Sequence, residues 1–134
     1  ESEFLTIFHH IGMGTTIWSP LASVLLPGTS HDGIPEDSRL GMEGFEWLKD
    51  RTLSAERIEL VKKLKPVADQ LQTSLATLAI AWCIRNENVT TAILGATRES
   101  QLTENLKAIE LYPKLTGEVL ESIDALLGNK PTVA

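Results

Sequence analysis

The residues best suited to chemistry are Gly95, Thr97, Arg98 and Gln101, which stand where a β-branched run ending at Leu94 gives way to a helical pattern. Free N–H groups at a helix start attract an anion, and a hydroxyl, a guanidinium and a side-chain amide add donors for a phosphate oxygen. Glu104 and Asn105 lie a turn or two further on and carry the groups that an adenine amino group and ring nitrogen need for hydrogen bonds. An ordinary capped helix with a solvated polar face accounts for the same residues equally well. A second stretch, Trp18-Ser19-Pro20-Leu21-Ala22-Ser23, closes another β-branched and aromatic run, and its backbone amides and hydroxyls could meet a ligand's phosphates. On its residues alone it reads more simply as a strand ended by proline, with a core tryptophan.

Other groupings are weaker. Gly12-Met13-Gly14 lacks the third glycine and the strand-then-helix setting of a dinucleotide fingerprint, so it reads as a turn. His9 and His10 are adjacent, which points them apart on a helix, and His31 is distant, so no metal site is expected. No Ser/His/Asp arrangement or close carboxylate pair stands out, Glu36, Asp37 and Asp124 reading as solvent-exposed. The single cysteine, Cys83, has no partner for an internal disulfide and sits among apolar residues, which reads as a core thiol in a cytosolic protein.

The elements that must position these groups follow from periodicity and punctuation. Residues 4–11 read as the end of a helix stopped by Gly12 and Gly14, and residues 15–18 as a short buried strand broken by Ser19-Pro20. Pro27-Gly28, Asp32-Gly33 and Pro35 make residues 21–53 mostly loop, with a short helical piece around 41–49. Ser54 caps a helix whose apolar positions are Ile58, Val61, Leu64, Val67, Ala68 and Leu71; within it Pro66 either kinks the helix or opens a second one. Ser74 caps the next helix, with Leu75, Leu78, Ala79 and Trp82 on one face and Ile80, Cys83 and Ile84 widening it.

Residues 89–94 then read as a central parallel strand. A helix capped at Thr97 or Ser100 follows, with Leu102, Leu106 and Ile109 on one face, and a last helix runs from near Thr116 to Gly128, its Val119, Leu120, Ile123, Leu126 and Leu127 turned inward. Helices that follow strands predict βαβ architecture, in which ligand sites gather at the carboxyl ends of the strands.

Composition sets outer bounds. With 43% hydrophobic and 22% charged residues the chain has the make-up of a globular protein with a sizeable core. A net charge of −6 argues against nucleic acid as a partner, which needs clustered Lys and Arg. No apolar run approaches the roughly 18 residues of a membrane-crossing helix, so no direct membrane insertion is expected. The 134 residues suffice for one compact domain but fall short of the roughly 250 of a complete (β/α)8 barrel.

Several blocks carry a resemblance. Ile17-Trp18-Ser19-Pro20-Leu21-Ala22, Gly33-Ile34-Pro35 with Ser38-Arg39, Leu78-Ala79-Ile80-Ala81-Trp82-Cys83-Ile84-Arg85-Asn86 and residues 94–105 occur in register in the aldo-keto reductases, which the chain resembles over almost its whole length. The ending Leu126-Leu127-Gly128-Asn129-Lys130-Pro131, with Phe8-His9-His10-Ile11-Gly12 near the start, is similar to the voltage-gated potassium channel β-subunit type. The resemblance implies an α/β fold, the C-terminal part of a (β/α)8 TIM barrel. Residues 1–134 would form one portion of a single NADP(H)-binding barrel domain, holding the last two barrel strands and the helices around them.

It also implies roles. Trp18, Ser19, Pro20, Leu21, Ala22 and Ser23 would line the nicotinamide and pyrophosphate end of the cofactor, and Arg39 would reach toward its phosphates. Gly95, Thr97, Gln101, Glu104 and Asn105 would hold the adenosine 2′-phosphate and adenine. Val24 departs from a glycine in the family pattern, and Thr29 from a lysine that contacts the pyrophosphate, a charged hydrogen bond worth about 1.5–3 kcal/mol. Pro27 reshapes the same loop. The family's catalytic Asp, Tyr, Lys and His belong to an earlier part of the barrel, so no catalytic residue is assigned to this chain and no reductase activity is expected of it alone.

Three functional readings stay open on the residues. The Gly128-Asn129-Lys130-Pro131 ending favours a cytoplasmic regulatory subunit of voltage-gated potassium channel α subunits, tetrameric when full length, that sits at the membrane only through its channel and uses bound cofactor as a redox sensor. The alternative is part of a general NADPH-dependent carbonyl reductase. Val24 and Thr29 leave room for a degenerate partial barrel with neither role. A part-barrel is also expected to expose strand edges and helix faces and to self-associate.

Overall fold

The computed structural model describes residues 4–22, 25–27, 43–44, 47 and 53–130. Helix α1 (Leu5–Ile11) ends as expected at Gly12, which takes the left-handed φ of 67° and donates its amide to the Phe8 carbonyl. Strand β1 (Thr15–Trp18) follows, and its β-branched residues suit an extended backbone. It pairs in parallel with β2 (Val89–Ile93), and these are the two strands among the described residues. Thr15 lies opposite Val89 but Thr16 lies opposite Thr91, which leaves Thr90 as an extra residue, a β-bulge at the start of the ladder. Ile17 then faces Ala92, and Trp18 faces Ile93.

Parallel pairing was legible; burial was not. Trp18 is 79% exposed and Ile93 58% exposed, so Trp18 is not a core residue, and among the described residues neither strand has a neighbour on both sides. A parallel strand becomes buried only when other elements cover both of its faces. Among the described residues β2 packs against helix α3, and no element is packed over Trp18.

Helix α2 (Ala55–Gln70) starts at Ser54, whose hydroxyl oxygen accepts the Arg57 amide at 3.2 Å. It runs through Pro66 as one helix, although proline has no N–H to offer the Lys62 carbonyl. Helix α3 (Leu75–Ile84) starts at Ser74, which accepts the Thr77 amide at 3.1 Å. Its buried stripe is Leu75, Thr77, Leu78, Ile80 and Ala81, whereas Trp82, expected inside, is exposed. Helix α6 (Gly117–Leu127) ends at Gly128 with φ 61°, as expected.

The helical stretch between β2 and α6 departs most from expectation. It divides at Lys107 into α4 (Glu99–Leu106) and the short α5 (Ala108–Leu111), followed by a 3-10 turn at Tyr112–Lys114. Leu102, Leu106 and Ile109 face outward, and Asn105, Ala108 and Leu111 are the residues buried instead. The core gathers Val61, Leu64, Val67 and Ala68 of α2 with Leu75, Leu78, Ile80 and Ala81 of α3, and is closed by Ala108, Leu111, Leu115 and Ile123. The residues at 105, 108 and 111 follow a three-residue spacing toward α3, and that contact decides which side of the stretch points inward.

Candidate nucleotide site

Because β1 and β2 are parallel and Trp18 stands beside Ile93, the segments that leave their carboxyl ends emerge at the same edge. After β1, Ser19 and Ala22 take left-handed φ values of 54° and 46°, a conformation L residues rarely adopt. The turn is closed by the Ala22 amide on the Ser19 carbonyl at 2.9 Å and by the Leu26 amide on the Leu21 carbonyl at 3.3 Å. Two strained residues within four positions are the kind of backbone that persists where a turn is held for a ligand. Ser19 is exposed, while Pro20, Leu21 and Ala22 are half-buried. Ser23 and Arg39 lie outside the described residues, as do Val24 and Thr29.

After β2, Gly95 is exposed, and a Cβ built there would meet nothing within 4 Å. Ala96, Thr97 and Arg98 are exposed as well. The residue at the N-cap of α4 is Arg98, between the two expected positions Thr97 and Ser100. Gln101 shapes this loop: its side-chain oxygen accepts the amides of Thr97 at 2.9 Å and Arg98 at 3.2 Å, and the Thr97 hydroxyl at 3.2 Å. With its oxygen committed, Gln101 has its NH2 group to offer an anion.

Glu104 sits further along, at the seam between α3 and α4. Its Oε1 accepts from the Thr77 hydroxyl at 3.1 Å and its Oε2 from Lys107 Nζ at 2.6 Å. Lys107 foremost, helped by the Ser74 and Thr77 hydroxyls, holds this carboxyl below its ordinary pKa of 4.5. Asn105 is turned into the core at 5% exposure. The two strand-end segments, the second carrying Gly95 and Thr97, therefore leave the sheet at one edge, while Glu104 lies about a turn of α4 beyond Gln101, at the helix seam, and Asn105 is buried.

Thr77 and Lys107 were missed from sequence. Thr77 is 1% exposed in a helix otherwise composed of apolar residues, and that lone hydroxyl was the available signal. Lys107 stands three residues after Glu104, a spacing at which helical side chains meet.

The edge and the seam beside it thus present an amide NH2 and exposed backbone beside a glycine, which can donate to an anion, an ionised carboxylate, which can accept from an N–H, and an exposed indole. Among the described residues no group of three His, Cys, Asp or Glu side chains could hold a metal ion, and no helix is long and apolar enough to cross a membrane.

Residues 1–127 match the aldo/keto reductase family. The chain belongs to that family. This aldo/keto reductase family member is 48% identical over 132 residues to a protein of Oryza sativa subsp. japonica and, equally, to one of Arabidopsis thaliana, both named "Probable voltage-gated potassium channel subunit beta". Each alignment covers 98% of this chain and 40% of the relative, so the chain spans about two fifths of the length of these relatives. The aldo/keto reductase family implies a (β/α)8 barrel and generally binds NAD(P)H. The described residues form a mixed α/β unit with two parallel strands.

Proposed function

We propose that this chain is the NADP(H)-binding portion of an aldo/keto reductase-like potassium channel β subunit. The observation that carries the reading is the parallel pairing of β1 and β2, by which the strained turn at Ser19–Ala22 and the open loop at Gly95 leave the sheet side by side. In this reading Trp18 offers its exposed indole to the nicotinamide end, with Ser19, Pro20, Leu21, Ala22 and Ser23 along the pyrophosphate. Arg39, the Gln101 NH2 group and Thr97 hold phosphate oxygens, and Glu104 accepts from the adenine amino group. Asn105, being buried, serves by supporting α4 from below instead of reaching the ring.

Bound NADPH would supply a hydride for a carbonyl. The residues of this chain bind and orient the cofactor, while the catalytic group, as the resemblance implies, comes from an earlier part of the barrel. The names of the rice and Arabidopsis relatives support the potassium channel β-subunit part of this reading; we extend it to a cytoplasmic, tetrameric full-length subunit that joins voltage-gated potassium channel α subunits and couples its cofactor's redox state to them.

The test is titration of the purified chain with NADPH, followed by nicotinamide fluorescence, beside an Arg39→Ala, Gln101→Ala double variant. Saturable binding that weakens at least about tenfold in the variant, a loss of roughly 1.4 kcal/mol, is the expected result. Absence of binding at millimolar cofactor would overturn the reading for this chain. Co-purification of the protein with channel α subunits tests the partner.

A further inference from the structure

Thr77 has one of the least accessible side chains among the described residues, and it crosses from one helix to the next with its only polar atom. Its Oγ1 lies 3.1 Å from Glu104 Oε1 and 3.1 Å from the Glu104 carbonyl oxygen, with 27 residues of chain between the two. The Ser74 hydroxyl donates to Thr77 Oγ1 at 2.9 Å, which leaves the Thr77 proton free to be shared between the two Glu104 oxygens. Lys107 holds the other carboxylate oxygen at 2.6 Å. A glutamate side chain otherwise samples several rotamers, and anchoring each oxygen from a different direction selects one of them. A carboxylate has about four lone-pair sites, so Lys107, Thr77 and the neighbouring Ser74 hydroxyl leave capacity for a ligand donor.

We infer that Thr77 is a positioning residue that fixes the Glu104 carboxylate for recognition of the 6-amino group of an adenine base. The inference rests on the cofactor reading above and deepens it. Thr77 does not touch the ligand; it acts through Glu104. An ionised, acceptor-only carboxylate held in one place attracts the 6-amino group of adenine and repels the 6-oxo group of hypoxanthine, so the device sets base selectivity as well as affinity. A carboxylate free to swing away would lose the repulsion along with the attraction. Ser74 thereby has two tasks, as the N-cap of α3 and as the donor that orients the Thr77 hydroxyl.

The experiment measures the dissociation constants of NADPH and of its hypoxanthine analogue for the wild-type chain and for Thr77→Val, Thr77→Ala and Thr77→Ser, each variant first checked for helix content by circular dichroism. The wild type is expected to favour NADPH by roughly tenfold or more. Thr77→Val and Thr77→Ala should shrink that preference to about threefold or less, and Thr77→Ser should keep it, because serine retains the hydroxyl.

In parallel, the carboxyl carbon of Glu104 is titrated by NMR, where loss of the Thr77 hydroxyl should move its midpoint upward. Equal weakening of both ligands in the folded variants, an unchanged preference, or an unmoved Glu104 midpoint would overturn the inference while leaving the cofactor reading intact. Absence of saturable NADPH binding to the wild type would overturn the cofactor reading, and the inference with it.

Discussion

The carbonyl oxygen of Asn88 accepts two hydrogen bonds from Thr15, one from its amide at 2.8 Å and one from its hydroxyl at 2.7 Å, across 73 residues of chain. This pair of hydrogen bonds from one residue to one oxygen fastens the start of β1 to the turn before β2, just ahead of the bulge. Replacing Thr15 by Val keeps the β-branched shape and the amide bond but removes the hydroxyl. It should lower stability by about 1 kcal/mol, seen as a lower urea midpoint with an unchanged slope. An unchanged midpoint would mean that the hydroxyl bond contributes nothing.

Gly14 lies against the bulge. A Cβ at this position would stand 1.9 Å from Thr90 Oγ1 and 3.2 Å from Thr90 Cβ, and threonine is too short and too stiff to move far. Gly14→Ala should therefore cost about 1–3 kcal/mol. Adding Thr90→Ala removes the closest atom and should restore part of the loss. A double-mutant cycle that gives additive effects, with coupling under about 0.5 kcal/mol, would show that the contact is not what requires glycine.

Acid should weaken the seam between α3 and α4. Glu104 has a carboxyl pKa lowered by Lys107, Ser74 and Thr77, so its ionised form favours the folded state. That contribution is present above the ordinary value of 4.5 and is lost as pH falls through the lowered folded value. Melting temperatures measured between pH ~3 and ~6 should fall less steeply on acidification in Glu104→Gln than in the wild type. Parallel curves would remove Glu104 from the acid response.

Cys83 behaves in the opposite sense. Burial raises its thiol pKa above 9.0, so the neutral thiol suits the folded chain. The associated stability is complete below 9.0 and is lost as pH rises through the raised value. Labelling by a thiol-specific reagent at neutral pH should be slower in the native chain than in urea, since the thiolate is the reacting form. Equal rates would show that the site is open.

The parts of the fold that were legible in the sequence are those set by local chemistry. Ser54 and Ser74 cap helices because a hydroxyl oxygen three residues before an amide can reach it, and Gly12 and Gly128 end helices because they adopt a left-handed backbone at little cost. Strand identity at residues 15–18 and 89–93 followed from β-branching. Burial did not, because what covers Trp18 or Ile93 depends on distant elements. The outward turn of Leu102, Leu106 and Ile109 was hidden for a related reason: the division at Lys107 and the contact with α3 decide the face, and neither is encoded in the apolar spacing. For the site, Gly95, Thr97 and Gln101 were recognisable as a polar helix start. The anchor on Glu104 was not, because Thr77 lies 27 residues away in a helix that reads as core throughout.

The extra residue Thr90 has a consequence for how this stretch can change. Because Thr15 pairs with Val89 and Thr16 with Thr91, every partner after the bulge is offset by one position. Remove Thr90 and the ladder becomes regular while Ile17 still lies beside Ala92 and Trp18 beside Ile93; remove Thr16 from β1 instead, with the bulge kept, and Ile17 would lie beside Thr91 and Trp18 beside Ala92. The bulge thus takes up a one-residue difference in length between the two strands, so the edge from which both strand-end segments depart tolerates loss of Thr90 but not loss of a paired residue from β1. Length is constrained in β1, where every residue is paired, and has slack in β2 at Thr90.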